Sequence, residues 1–410
     1  MNTRLDIPRI EAAAPLSVIQ TNWPLLLGMG VLMLGAGLQS TLLGLRATLE
    51  GFPTLVTGLV LSCYYVGYVM GTKIAPPLLR KLGHIRVFAA LAAIAAAAVL
   101  VQGCFVDPWS WGALRLVQGL CFAGLYVVAE SWLNDRASRE NRGRLFAVYM
   151  LVLYVGLGAA QFLLVLADPR TPIPFMLVAV LISLAMVPIV VSAQRVPEHA
   201  VPRKVRLRDL YRNSPLGIVS VTISGLISAI IFSMGPVYAR LSGLDTSSVA
   251  TFMAVSILAA VVTQYPVGRL SDRVDRRTVI AGVCTLAMLV SGSIVAFPEM
   301  PRGVFLVLAA SFSGFALTLY SLSVSHVNDK LEPAQMVAAS SALLLLNGGA
   351  AAFGPVLAGS LMTAFGPQAY FATLASLSGM LAVYDLWRKS RQRPVPPEQK
   401  SPFVRAQPRA

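Results

Sequence analysis

Apolar residues along this chain gather in long, nearly uninterrupted runs. A helix of about 20 apolar residues can cross a lipid bilayer, and runs of roughly that length recur throughout the 410-residue sequence. The breaks between them carry Pro, Gly or charge, which mark loops. The twelve runs are 23–45, 54–76, 86–106, 110–133, 144–166, 172–193, 215–238, 247–268, 278–297, 303–325, 336–361 and 367–387. We therefore predict an all-α, polytopic membrane protein with twelve transmembrane helices.

Composition supports this class of protein. The chain is 56% hydrophobic and 12% charged, whereas soluble domains are nearer half apolar and about a quarter charged. Residues 1–22 hold two acidic residues and two prolines in place of the basic start and short apolar core of a cleavable signal peptide. The four cysteines lie in apolar runs without the spacing of a metal site or a disulfide framework. The sequence therefore predicts no metal and no cofactor.

Basic residues fall mainly on alternate loops. If the N-terminus is cytoplasmic, 28 of the 33 Lys and Arg residues lie in segments on the inner side. Four lie outside, namely Arg46, Arg170, Arg240 and Arg302, and Arg115 lies within a span. Cytoplasmic loops carry an excess of Lys and Arg, so we predict that both termini are cytoplasmic. The same pattern explains the formal net charge of +15 without a nucleic-acid partner.

Two stretches of the chain, 194 residues apart, share one pattern. Residues 125–135 and 319–329 both read L-Y-x4-S-x2-N-D, at the ends of spans 4 and 10, and Arg46 falls on Arg240 at the same offset. These matches predict two pseudo-symmetric six-helix bundles of the same orientation. Parallel repeats of this kind are the plan of many secondary transporters, with the substrate site between the halves near mid-membrane.

The repeat also predicts the domain organisation. We expect an N-terminal bundle over 1–193, a basic cytoplasmic linker over 194–214, a C-terminal bundle over 215–387 and a disordered cytoplasmic tail over 388–410.

Three motifs resemble those of the major facilitator superfamily. GRLSDRVDRR at 268–277 resembles its loop signature G-x-L-x-D-R-x-G-R-R, and RLVQG at 115–119 resembles its R-x-x-Q-G element. AAAFGPVLAG at 350–359 is similar to a Gly-Pro hinge that antiporter branches carry in span 5. Because it lies here in the second half, the implication of antiport is weakened. GLYVVAESWLND, GHIRVFA and GLRATLEGF further resemble the YcaD-like branch, which implies transport without naming a substrate.

The resemblance also indicates residues for gating, which are Gly268, Asp272, Arg273, Gly354 and Pro355. Asp272 ends span 8, where it could pair with a basic group of the other bundle while the inner ends are close, which would favour the outward-facing state. Arg276 and Arg277 are interpreted as ordinary topogenic arginines in a solvated loop. The loop between spans 2 and 3 has Arg80 about where Asp272 would fall, so a latch that needs the carboxylate rests on the second copy.

Span 4 carries a polar stripe. At about 100° per residue, one face holds Arg115, Gln118, Phe122, Tyr126, Glu130 and Asn134. A central Arg costs roughly 2.5–3.5 kcal/mol on insertion scales, so this face should border a polar cavity or a buried network. Arg115 either binds an anionic group, influences a nearby carboxylate or ties helices together. Glu130 either exchanges a proton or pairs with a loop arginine such as Arg142 or Arg144.

Other spans add polar groups at membrane depth. They are Gln39, Gln161, Ser233, Gln264, Tyr320 and Asn347. Such groups usually face the interior of a helix bundle, although helix–helix hydrogen bonding is the commoner fate of any single one. As a set they predict a substrate cavity with few charges, suited to a weakly polar or amphipathic solute.

The prediction for function is secondary active transport of a small solute across the cytoplasmic membrane by a monomer surrounded by lipid, with export slightly favoured. A facilitative uniporter and a permease subunit of a multi-component system stay open as alternatives. Proton coupling through Glu130 also stays open. No P-loop, H-E-x-x-H or G-x-S-x-G motif occurs, so the sequence does not predict an enzyme.

Overall fold

The structure is a computed structural model and describes residues 15–136, 142–191 and 207–389. Throughout these ranges the chain forms helices joined by short connections. They are α1 (Pro15–Leu49), α2 (Thr54–Leu82), α3 (His84–Cys104), α4 (Pro108–Arg136), α5 (Arg142–Ala160), a 3₁₀ turn (Gln161–Val165), α6 (Ile173–Val191), α7 (Leu207–Asn213), α8 (Pro215–Leu241), α9 (Thr246–Arg273), α10 (Arg276–Ala296), α11 (Arg302–Asn328), α12 (Pro333–Ala351), α13 (Gly354–Phe365) and α14 (Ala369–Lys389).

Twelve spans in the described residues are long and apolar enough to cross a membrane, which confirms the predicted number. The 3₁₀ turn continues α5 in span 5, and α12 and α13 together form span 11. Several helices run past the apolar stretches from which they were predicted. Helix α2 continues to Leu82 and α9 to Arg273, because Lys and Arg at a helix end can reach water.

The spans alternate in direction, so their connections lie at two ends. One end, called the basic end below, holds residue 83, α7 and residues 274–275 and 329–332. The other, called the opposite end, holds residues 50–53, 105–107, 166–172, 242–245, 297–301 and 366–368.

The spans pack as two six-helix halves, α1–α6 and α8–α14. The main helix pairs of the first half are α2–α4, α1–α6, α1–α5, α3–α4 and α3–α6. The corresponding pairs of the second half are α9–α11, α8–α14, α8–α12, α10–α11 and α10–α14. Each pair has its counterpart at the same position in the repeat. The two halves therefore share these five helix pairs, as the shared sequence pattern predicts, although α8 packs on α11 far more extensively than α1 does on α4.

The closest approach in the first half is between α2 and α4. A Cβ on Gly67 would overlap the carbonyl oxygen of Leu116, and a Cβ on Gly119 would overlap that of Tyr64. Small residues let helix backbones touch in this way. This contact brings the start of the polar stripe on α4 directly against the tyrosines of α2.

Part of the predicted linker is helical. Helix α7 begins at Leu207, and its buried Leu210 packs with Val221, Val327 and Leu343 on the basic end of the second half. The rest of the linker and most of the predicted tail, residues 192–206 and 390–410, lie outside the described residues.

Candidate functional site

The two halves meet mainly along three pairs of spans, with a smaller contact between α2 and α8. Helix α1 packs on α8, α2 on α12 and α13, and α5 with its 3₁₀ turn on α9. Hydrogen bonds between described residues cross this boundary, since Ser40 Oγ donates to the carbonyl oxygen of Phe232 at 3.1 Å and Tyr65 Oη lies 3.3 Å from Ser233 Oγ. Ser233, one of the predicted cavity residues, therefore lies on the boundary between the halves.

The tightest contacts across this boundary lie in the part of the molecule near the opposite end. A Cβ on Gly44 would lie 3.2 Å from Val237 Cγ2, and one on Gly359 would lie 2.9 Å from the carbonyl oxygen of Thr54. A Cβ on Gly58 would overlap the carbonyl oxygen of Pro355. We call this set of contacts the outer seam. Glycine permits the backbones of the two halves to touch here.

Toward the basic end the boundary between α5 and α9 opens into a small cavity of about 190 Å³. Its lining includes Met150 and Tyr154 from the first half and Val261 and Gln264 from the second. The amide nitrogen of Gln264 donates to Ser321 Oγ on α11 at 3.1 Å. The predicted cavity residue Gln264 thus lies between the halves and is anchored to the span that carries the repeat pattern.

Arg115 and Gln118 belong to a polar network buried inside the first half. Arg115 Nη1 donates to Gln118 Oε1 at 3.3 Å, and Gln118 Nε2 donates to Gln102 Oε1 at 3.0 Å. Gln39 Nε2 donates to the same oxygen of Gln102 at 3.3 Å. The network joins α4, α3 and α1, and Gln118 and Gln102 are completely buried.

The charge of Arg115 has little compensation. Its guanidinium carbon lies 4.3 Å from the centre of the Tyr64 ring, which is a cation–π geometry. The side chain is only 4% exposed, its Nε has no hydrogen-bond partner, and no acidic side chain among the described residues pairs with it. A buried cation of this kind is costly, and such sites in membrane spans are functional candidates.

The rest of the stripe on α4 is also internal. Tyr126 Oη donates to Met33 Sδ at 3.2 Å, and the Phe122 ring lies 6.3 Å from that of Tyr64. Both rings are almost completely buried. Of the two alternatives for this face, the structure shows the buried network and not the wall of an open cavity. Glu130 is half-buried, and the side chains of its suggested partners Arg142 and Arg144 lie outside those described.

Two predicted cavity residues tie helices together within a half. Gln161 accepts from Thr41 Oγ1 at 2.6 Å and donates to the carbonyl oxygen of Gly37 at 3.2 Å, where α5 changes to a 3₁₀ turn. Asn347 on α12 donates to Val221 O at 3.0 Å on α8. Both match the helix–helix role considered above. Tyr320 is half-buried and packs against the small apolar cluster beneath α7.

At the basic end, Arg276 is part of a buried ionic cluster. Its Nε lies 2.9 Å from Asp329 Oδ2 and its Nη2 lies 3.2 Å from Asp272 Oδ1. The interpretation of Arg276 and Arg277 as solvated topogenic arginines is wrong, because both are almost completely buried. The connection 274–275 is so short that α10 begins at Arg276. Its first side chains are therefore held under the ends of the neighbouring helices, where aspartates compensate them.

The proposed gating residues are found in different settings. Asp272 pairs with Arg276 of its own half and not with the other bundle, and its neighbour Arg273 is exposed. Gly268 is buried, and its carbonyl oxygen accepts from Ser271 Oγ at 2.9 Å.

Gly354 and Pro355 mark a break in span 11. Helix α12 ends at Ala351 and α13 begins at Gly354. A Cβ on Gly354 would lie 2.7 Å from the carbonyl oxygen of Leu226 on α8. The Pro355 carbonyl faces Gly58 in the outer seam. The Gly-Pro pair therefore lies at the contact between the two halves. A bend of span 11 at this pair would change that contact.

Comparison with known proteins agrees with this architecture. The model of the Major Facilitator Superfamily matches residues 25–344 and 246–409, which together take in nearly the whole chain. This chain belongs to the major facilitator superfamily. It is therefore a multi-pass protein of a transporter family.

Its relatives include members of the YcaD-like branch, which confirms the narrower resemblance. It is 30% identical over 349 residues to an MFS-type transporter of Enterobacter sp. (strain 638), covering 84% of this chain and 89% of the relative. It is also 30% identical over 331 residues to the MFS-type transporter YcaD of Escherichia fergusonii, covering 80% and 85%.

Solved structures share the major facilitator fold at low sequence identity. The nucleoside transporter NupG is 15% identical, with a TM-score of 0.78 over 90% of this chain and 99% of that one. A bacterial homologue of the human lysosomal transporter Spinster is 14% identical, with a TM-score of 0.75 over 93% and 98%. These likenesses show the fold.

Sequence reasoning missed three important partners in this major facilitator protein. Gln102 accepts hydrogen bonds from both Gln39 and Gln118. The sequence signal for it was a single amide side chain in the apolar run of span 3. The ring face of Tyr64 holds Arg115, a role that the sequence pattern did not indicate. Asp329 was noted only as the last residue of the repeat pattern. That pattern is the sequence signal by which it could have been found.

Proposed function

We propose that this chain is a secondary transporter that moves a small, weakly polar or amphipathic solute across the cytoplasmic membrane by alternating access, with export favoured over import. The basic end faces the cytoplasm, and both termini lie there. The charge distribution supports this orientation, because only Arg46, Arg170, Arg240 and Arg302 lie near the opposite end of the described chain.

The outer seam is the observation that carries the proposal. At the opposite end the two halves touch through glycine backbones, whereas toward the basic end the boundary between α5 and α9 holds a cavity. This asymmetry is expected of a carrier that is closed toward the outside. Because each half has its own internal packing, the halves can rock as bodies about the region of Ser233 and Tyr65.

The side chains at the boundary between the halves support a solute of low charge as the substrate. Its described polar groups are hydroxyl and amide side chains, including Ser40, Tyr65, Ser233 and Gln264. Hydroxyl and amide groups can orient a polar group of the solute, and the surrounding apolar side chains can accept its body. Arg115 lies one helix behind the boundary, beneath Tyr64, and would bias the site toward groups that accept hydrogen bonds.

The positions of the acidic residues bear on the choice between proton coupling and uniport. Only Glu130 and Asp385 among the acidic residues fall within the predicted spans, both toward the basic end. This position supports coupling through Glu130 from the cytoplasmic side or no coupling, and it gives no support to a carboxylate at mid-membrane. No nucleic acid is expected as a partner, and the monomer in lipid is the proposed transporting unit.

Transport by the purified chain alone tests the proposal. Liposomes that contain only this protein are screened for flux of drugs, lipids, sugars and organic anions, with and without a pH gradient. We expect saturable flux and counterflow of at least one weakly polar or amphipathic solute. Flux that appears only with a separate ATPase would assign the chain to a pump. Flux that neither saturates nor shows counterflow would indicate a channel.

A further inference from the structure

A larger cavity lies away from the boundary between the halves. It has a volume of about 590 Å³ and opens at the opposite end of the second half. We call it the outer cavity. It is enclosed by residues of the connections 242–245, 297–301 and 366–368 and of the adjoining helix ends. Its volume falls in the range of about 300–1,000 Å³ that is typical of small-molecule sites.

The floor of the outer cavity is apolar and well braced. Tyr238, Ile294, Met300 and Phe305 line it. Tyr238 stacks on Tyr370 with ring centres 4.8 Å apart and an interplanar angle of 15°. Phe305 stacks on Phe252 at 5.6 Å and 18°. Stacked rings of this kind hold their orientation, so the floor is preformed.

The rim of the outer cavity carries one acidic and one basic side chain. Asp245 caps α9 by accepting from Ser248 N at 3.2 Å, and its Oδ1 also accepts from the Ser248 hydroxyl. These bonds hold the pKa of Asp245 below its usual range, and the nearby charge of Arg302 lowers it further. Asp245 is therefore ionised at neutral pH, and its Oδ2 is not used by the cap.

Arg302 differs from two of the other arginines near this end. Arg46 pairs with Glu50 at 2.7 Å, and Arg240 donates to the carbonyl oxygen of Leu244 at 3.2 Å. Arg302 is exposed and makes no hydrogen bond or ion pair with the described residues. It also begins α11, where the helix dipole disfavours a cation. Its side chain is therefore not held by the described residues.

We propose that the outer cavity binds a zwitterion with an apolar body, such as a free aromatic amino acid or the headgroup region of a zwitterionic lipid. Arg302 donates to the anionic group, Asp245 Oδ2 accepts from the ammonium group, and the body lies on the floor formed by Tyr238 and Phe305. A simple anion would face Asp245 and a simple cation would face Arg302. The paired rim charges therefore select a ligand that carries both.

This site is independent of the proposed transport cycle. All residues of the outer cavity belong to the second half, so rocking of the halves leaves its walls together. Binding there is expected in protein that transports nothing. A failure of this proposal is therefore distinguishable from a failure of the transport proposal.

Three related probes test which charged groups of a ligand the outer cavity recognises. L-tryptophan carries both charges, tryptophan amide lacks the carboxylate, and N-acetyltryptophan lacks the ammonium group. Binding of each to the purified full chain in detergent is measured by calorimetry. We expect tryptophan to bind about 10- to 100-fold more tightly than either derivative, the effect of losing one hydrogen bond to a charged group. Equal affinity of the three probes, or no binding of any, would overturn the proposal.

Two substitutions place the binding in the outer cavity. Arg302→Gln and Asp245→Asn should each weaken tryptophan binding by about 10- to 100-fold. Asn caps a helix about as well as Asp, so the second variant removes the charge and keeps α9 intact. Arg170→Gln is the matched control, since Arg170 is an exposed arginine at the same end of the other half. Unchanged affinity in both cavity variants would also contradict the proposal.

Competition by lipid tests whether the zwitterion is a lipid headgroup or a free solute. The tryptophan titration is repeated in nanodiscs of phosphatidylethanolamine, which is zwitterionic, and of phosphatidylglycerol, which is anionic. Weaker binding of at least 10-fold in phosphatidylethanolamine alone would support a lipid headgroup as the occupant. Equal binding in the two lipids would support a free solute. Tighter binding in phosphatidylethanolamine than in phosphatidylglycerol would count against a zwitterion site.

Discussion

The guanidinium of Arg276 and the carboxylate of Asp329 form an ion pair that is almost completely shielded from solvent, with 2.9 Å between Nε and Oδ2. Arg276 begins α10, and Asp329 follows the last residue of α11. Asp272 at the end of α9 reaches the same arginine from a more exposed position. Three helix ends of the second half are thereby joined at the basic end, which favours movement of that half as one body.

Loss of this buried pair should destabilise the second half. Asp329→Ala leaves the buried cation of Arg276 with only the more exposed Asp272, and removal of one partner of a buried pair costs about 3–5 kcal/mol. We expect a clear fall in the unfolding free energy measured in mixed micelles. Asp272→Ala is the control. The Asp272 side chain is 45% exposed, so its loss should cost no more than about 1 kcal/mol. Equal effects of the two variants would contradict this ranking.

Replacement of Arg115 should separate stability from transport. Arg115→Leu removes a buried cation that has no acidic partner among the described residues. We expect unfolding stability equal to that of the unchanged chain or higher by up to about 3 kcal/mol, the cost of placing Arg in a span. Flux of the solute found in the liposome screen should fall by at least about tenfold, since functional sites trade stability for activity.

The matched variant for this position is Arg115→Lys. Lys keeps the charge but lacks the planar group that stacks on Tyr64 while donating to Gln118, so intermediate flux is expected. A large loss of stability in Arg115→Leu would show that Arg115 serves chiefly to tie helices. That result would contradict a contribution of Arg115 to transport.

The fold was predictable because its signals are long and periodic. Each span needs only a run of apolar residues of bilayer length, and the repeat of L-Y-x4-S-x2-N-D reports that the halves are alike. The edges were less accurate, as at α2, because charged residues within reach of water can still be helical. The break at Gly354 also lay within a single apolar run and was visible only through its Gly-Pro motif.

The surroundings of the charged residues were harder to predict. The stripe on α4 correctly placed Arg115 and Gln118 on one face, but the pattern of one helix does not say which neighbour covers that face. Tyr64 covers it because Gly67 and Gly119 bring α2 against α4, and Gln102 reaches it from α3. The burial of Arg276 was not predicted for a related reason. It depends on Asp329, which is 53 residues away in sequence.

A small addition to Gly58 should open the outer seam. Gly58→Ala places a methyl group where the carbonyl oxygen of Pro355 lies, and overpacking of this kind costs about 1–3 kcal/mol. Because the cost falls only on the state closed at the opposite end, the equilibrium ratio of that state to the open state should fall by roughly 5- to 150-fold. In a background without native cysteines, labelling of Ser233→Cys from outside by an impermeant maleimide should therefore accelerate.

Gly349→Ala is the control for this prediction. A Cβ on Gly349 would meet nothing within 4 Å, so labelling of Ser233→Cys should be unchanged. Gly58 lies in span 2 and Gly349 lies in span 11. The contact between these two spans forms part of the outer seam. Equal labelling rates in Gly58→Ala and in the unchanged protein would mean that the outer seam does not close the path to Ser233.

A disulfide across the outer seam should stop transport reversibly. The pair Gly44→Cys and Val237→Cys links α1 to α8, where a Cβ on Gly44 would lie 3.2 Å from Val237 Cγ2. The Cβ of Val237 is one bond from that methyl carbon, so the two Cβ atoms lie close to the range of about 3.5–4.5 Å found in disulfides, and little movement is needed. The cross-link holds the halves together at the opposite end, so flux of the solute found in the liposome screen should fall to background on oxidation and return on reduction.

The control cross-link lies within one half. Gly35→Cys and Leu181→Cys join α1 to α6, where a Cβ on Gly35 would lie 3.4 Å from the Cβ of Leu181. This bond also needs little movement but leaves the seam between the halves free, so the oxidised protein should keep its flux. Inhibition by both cross-links would indicate that movement inside the first half is required. Inhibition by neither would show that the outer seam can stay closed throughout transport, which rocking of rigid halves does not allow.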